Sequence, residues 1–94
     1  MGIDARVNFW DLVIFLCEKL NLKEDDKNCV IYIVQKVVGE GVCDGKKPIS
    51  ICGASIIFVA LRSNNAKSFK EVSIACDIKV ETIKKVYRMI LPMH

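Results

Sequence analysis

Ninety-four residues, 52% of them hydrophobic, suffice for one domain with its own core, and the formal net charge is +3. No apolar run reaches the about 20 residues of a membrane helix; the opening MGIDARVNFW lacks the layout of a secretory signal and, with Arg6, the myristoylation pattern. Five cysteines lie at gaps of 12, 14, 9 and 24 residues with no CxxC, and the single histidine is His94, so a zinc site is set aside; small buried thiols and a reducing compartment are expected.

Residues 8–20, NFWDLVIFLCEKL, predict the first helix. Trp10, Val13, Ile14 and Cys17 recur at helical spacing, and Phe9, Leu12 and Leu16 form a second apolar line. Asn8 is placed to cap it, with Asp11 near the positive end of the dipole. After Asn21 and Leu22, residues 24–38 predict a second helix with an acidic start (Glu24, Asp25, Asp26) and a stripe of Val30, Ile33, Val34 and Val37. Gly39 stands where a left-handed C-cap belongs. Residues 39–47 are a loop with three glycines.

From Pro48 to Leu61 there is no charge. Proline suits a first helical turn, and the stretch is far longer than the ~5–6 residues of a usual strand. Its apolar residues keep to no single stripe, so a helix over 48–62 is expected to be enclosed by the others. Gly53, Ala54, Ser55 and Ala60 would let neighbours approach closely.

Ser68-Phe69-Lys70-Glu71 is a capping box, opening a helix over 69–76. A turn and a last helix over 80–91 follow, with Ile83, Val86, Tyr87 and Ile90 at spacings of 3, 1 and 3, Ile83 and Val86 fixing the helix. This spacing resembles a DNA-binding helix-turn-helix. Ser73 takes the small position between the helices, Asp77 the left-handed turn position, and Ile78 anchors the turn. Lys79, Glu81, Thr82, Lys84, Lys85 and Arg88 are then the candidates for the exposed surface of the second helix. Charge is divided unevenly: residues 1–45 hold five Lys/Arg against eight Asp/Glu, and residues 46–94 hold nine against three. A polyanion partner for the C-terminal half is one explanation, and solvated surface on a plain helical hairpin is the other.

The stretches "GKKPISICGASIIFVALRS" and "KSFKEVSIACDIKVETIKKVYRMILP", preceded by "LCEKLNL", resemble the second cyclin-like repeat of the transcription factor IIB family, over residues 8–92. The resemblance implies an all-α, five-helix cyclin-like fold with a central buried helix and a C-terminal helix-turn-helix. With no usable histidine, no Gly-rich phosphate loop and no catalytic constellation, a non-enzymatic, monomeric domain without cofactor or metal is expected. Its partners would be promoter DNA near the TATA box, TATA-binding protein and the RNA polymerase machinery, in a nucleus or in archaeal cytoplasm. The family's base-facing Val and Arg fall on Glu81 and Lys84; Lys85, Arg88, Lys46 and Lys47 fall where phosphate contacts are expected. Lys84 keeps the charge without the guanidinium fork, and Glu81 puts a carboxylate in place of an apolar contact. Asp77 replaces a turn glycine, and Lys47 a capping serine. Family members also carry a zinc ribbon and a first repeat, which this stretch does not contain. Two alternatives stay open: a cyclin-like protein-interaction module that ignores nucleic acid, and the homologous RNA polymerase III initiation factor.

Overall fold

The computed structural model describes residues 9–43, 45–63 and 67–93. Five helices follow in order: α1 (Phe9–Lys19), α2 (Glu24–Glu40), α3 (Pro48–Ala60), α4 (Phe69–Cys76) and α5 (Val80–Ile90), with a closing 3-10 turn at Leu91–Met93. Asn8, expected as the α1 cap, lies outside the described residues.

Two helices end in the same left-handed device. At the end of α1, Asn21 has φ 58°, its N–H donates to the Glu18 carbonyl, and the Leu22 N–H reaches back to Cys17. At the end of α4, Asp77 has φ 58°, its N–H donates to Ile74, and the Ile78 N–H reaches back to Ser73. This paired closure takes care of carbonyls that a helix end leaves open, and it turns an apolar residue inward. Leu22 and Ile78 are those residues, and both pack against the core. The end of α2 departs from expectation. The helix runs through Gly39 to Glu40, and Gly41 (φ 66°) is the left-handed residue, its N–H bonded to Val38. Two glycines satisfied the same local rule, and the later one lets α2 complete another turn fraction before the loop.

The uncharged segment is the axis of the molecule. Every residue from Ser50 to Ala60 is buried, and α3 packs against each of the other four helices. Gly53 explains how close that packing is: a Cβ there would meet the Cys76 sulfur at 3.1 Å and a Val72 methyl at 3.4 Å. α3 ends at Ala60, two residues before the expected stop. The Leu61 N–H still bonds to Ile57, while the Arg62 N–H takes the tighter link to Val59. No helix among the described residues is long and apolar enough to cross a membrane.

Around α3 the amphipathic helices supply Val13, Leu16, Val30, Val34, Val37 and Ile90, each with no exposed surface. Ile14 departs from the expected inward stripe: it is 38% exposed, because Val13, Leu16 and Cys17 already fill the face that meets α3. Cys17, Cys43, Cys52 and Cys76 are buried and Cys29 is exposed, and none of the five is in a disulfide. Burial pushes the Cys52 thiol up to about 12, with Cys76 and Cys17 nearby adding to the shift, and raises Cys17 and Cys76 to about 11. Lys27 partly opposes this at Cys17, as does Lys19 at Cys76.

Candidate nucleic-acid interface

The helix-turn-helix is built locally before it is packed. The Ser68 hydroxyl accepts from the Glu71 N–H at 3.0 Å, and the Glu71 carboxylate accepts from the Ser68 N–H at 2.9 Å. That reciprocal box starts α4. The left-handed Asp77 ends it, and the Ser73 hydroxyl donates to the Ile78 carbonyl across the turn. Ser73 thus closes the turn, and a tight approach in this region is that of Gly53 to α4. Ile83 and Val86 then bury the inner face of α5.

At about 100° per residue, burying Ile83, Val86 and Ile90 turns Glu81, Lys85 and Arg88 outward together. All three are exposed, as is Lys84 on the flank of the same face. Lys84 has a defined position: its ammonium lies 5.6 Å from the centre of the Phe69 ring. Phe69 meets Tyr87 edge to face at 5.5 Å, and Tyr87 in turn meets Phe58 at 6.5 Å. At the other end of this row the Arg62 guanidinium stacks on Phe58 at 3.8 Å and bonds to the Phe58 carbonyl at 3.1 Å. Aromatic faces attract cations, so Lys84 and Arg62 are both held against ring surfaces.

The remaining predicted residues meet elsewhere. Lys46, Lys47, Lys79 and Thr82 line one cleft of about 470 Å³, together with Gly45, Ser50 and Ile78. This cleft lies where the loop before α3 meets the start of α5. The eight candidates therefore fall into two adjoining sets along α5. Glu81, Lys84, Lys85 and Arg88 occupy its outward face; Lys46, Lys47, Lys79 and Thr82 gather at its N-terminal end. Ser50 is a member of the cleft that residue order does not point to. Its position in the first turn of α3 follows from Pro48, but its nearness to α5 depends on packing between segments about thirty residues apart. Among the described residues no group of three His, Cys, Asp or Glu side chains could hold a metal ion.

An all-α domain with a buried central helix and a C-terminal helix-turn-helix defines a cyclin-like helical repeat. The family model described as "Transcription factor TFIIB repeat" matches residues 8–93. The chain belongs to that family: it is a TFIIB cyclin-like repeat. It is 26% identical over 82 residues to transcription initiation factor IIB of Drosophila virilis, covering 87% of this chain and 28% of that protein. The corresponding factor of Drosophila melanogaster is 26% identical, with 87% and 26% covered. That of Xenopus laevis is 27% identical, again with 87% and 26% covered. The chain thus spans about a quarter of the length of these relatives.

Proposed function

We propose that this domain acts in transcription initiation, binding promoter DNA near the TATA box together with TATA-binding protein, through α5 and the loop before α3. The observation that carries this reading is the grouping of cations around one helix. Lys84, Lys85 and Arg88 are exposed on α5, and Lys46, Lys47 and Lys79 stand at its N-terminal end. A recognition helix needs base-facing groups near its start and phosphate-neutralising cations around it. Glu81 is the departure. A carboxylate accepts from cytosine N4 but repels phosphate, so Glu81 favours a cytosine-bearing step over non-specific backbone contact. The polymerase machinery as partner, a nuclear site of action and a non-enzymatic role are parts of the same proposal.

Alone, such a basic module is expected to hold duplex only at about 10⁻⁴–10⁻⁶ M at physiological salt. The test is a mobility shift on a TATA-containing duplex, with and without TATA-binding protein, across a salt series. A supershift that needs both proteins supports the reading; identical shifts for scrambled and TATA-containing duplex in the presence of TATA-binding protein count against it.

A second reading, a protein-interaction module, draws on exposed apolar groups. Phe15 is 55% exposed and Ile74 68%. Absence of any duplex binding at low salt would favour it.

A further inference from the structure

We propose that the cleft between the starts of α3 and α5 is a seat for one phosphate group, occupied in the DNA complex by a single backbone phosphodiester. The second clause rests on the function proposed above; the first does not.

Two helix N-termini converge on this cleft. Lys47 is the N-cap of α3 and Lys79 the N-cap of α5, and neither helix start has a side-chain cap. The Ser50 and Thr82 amides are taken up by the Lys47 and Lys79 carbonyls. The amides of Ile49, Val80 and Glu81 precede the first intrahelical bonds and stay free to donate. Lysine is a poor N-cap, and a cation beside the positive end of a helix dipole is unfavourable. Here both occur twice in one place, with Lys46 adding a third ammonium. Among the described residues no carboxylate lines the cleft to offset them; Asp77 lines an adjoining hollow that shares Ile78 and Lys79. An anion would remove the conflict, and amides at helix starts are a ready anion site.

An independent observation comes from the wall. Ser50 is only 3% exposed, yet its hydroxyl has no protein partner, and it lines the cleft. Ser55, one turn further along α3, shows the alternative: its buried hydroxyl donates to the Ile51 carbonyl at 2.8 Å. No buried side-chain oxygen or nitrogen among the described residues is both sealed from solvent and unpaired, so the Ser50 hydroxyl faces the open space of the cleft. A nearly buried donor in the wall of a cleft that three lysines and two helix starts also line suits a phosphate oxygen.

The test titrates the isotopically labelled 94-residue chain with inorganic phosphate against chloride at matched ionic strength, following amide shifts. Saturable shifts are expected at Ile49, Ser50, Val80 and Glu81. Ser50→Ala and Lys47→Gln should each weaken phosphate by about tenfold, the loss expected for one charge-assisted hydrogen bond. Shifts centred instead on Lys84, Lys85 and Arg88, or unchanged affinity in both variants, would overturn the seat. Lys47 is exposed, so Lys47→Gln decides the matter even where Ser50→Ala loses its fold. A second arm uses duplexes in which single phosphates are replaced by neutral methylphosphonates. One position should matter to the unaltered chain and cease to matter to Lys47→Gln. Phosphate binding without such a position overturns the phosphodiester clause and leaves a seat for free phosphate. No duplex binding at all removes the proposed DNA function, while the phosphate titration still decides the seat.

Discussion

Asp77 shows how a single side chain can carry a turn at some cost. Its φ of 58° is a region where an L-residue is strained, though aspartate tolerates it better than most. Asp77→Gly should raise stability by about 1 kcal/mol, because glycine has no Cβ to strain. Asp77→Val should lower it, and urea midpoints of the two variants check the sign. Gly53 is the reverse case. A Cβ there would press on the Cys76 sulfur, and Gly53→Val should destabilise by about 1–3 kcal/mol through overpacking. The buried thiols make a pH prediction. Their folded values of about 11 to 12 exceed the ordinary 9.0, so the folded state retains protons that the unfolded state releases. Their contribution to stability is therefore whole below about pH 9 and is lost as pH rises toward 11 to 12. A Cys52→Ala variant should show a shallower fall of the urea midpoint over that window, and an equal fall would contradict the assignment.

Helices here differ in what stabilises them. α4 has only eight residues, too short to persist alone, and relies on its capping box and its packing on Gly53. Ser68→Ala should cost about 1 kcal/mol, measured as a lower thermal midpoint. α3 has neither a cap nor a polar face and exists because four other helices cover it. Ile57→Asp should unfold the domain, since a carboxylate there has no partner and no water. A variant with an unchanged melting temperature would refute the central placement of α3. α5 is the most sharply divided of the five, with Ile83, Val86 and Ile90 inside and charges outside. Its outer face can change without touching the core. Lys84→Glu combined with Lys85→Glu should therefore weaken duplex binding at low salt while leaving helicity intact. An unaltered binding isotherm would remove α5 as the contact surface.

The molecule as a whole separates its charge. Acidic residues start α2, where Glu24 pairs with Lys27 at 3.1 Å, while cations surround α5. Each phosphate that a lysine neutralises releases condensed counterions, so affinity should fall steeply with salt. Neutralising Lys46 and Lys47 together should lower the salt slope by about two, and a slope that does not change would place the DNA elsewhere.

Much of this architecture was legible from residue order. The capping box at Ser68, the left-handed turn at Asp77, Pro48 in a first turn and the uncharged interior of α3 are short-range signals, each set by neighbours within one or two helical turns. The candidate cations could be named for the same reason, because α5 has one clear inner stripe. Other features depended on how the helices meet. Which of two glycines ends α2, and which apolar residues of α1 stay outside, is decided by how far each helix must run to fill the space beside α3. The cleft is the clearest case. Lys46, Lys47 and Ser50 lie about thirty residues from Lys79 and Thr82, and no local rule relates the two segments. Sequence alone determined which segments are helical, how α4 is capped and where the charges lie. Only packing around the uncharged helix brought two positive helix starts and an unpaired serine hydroxyl to one place, because burial of apolar faces sets helix positions regardless of the charges they carry along.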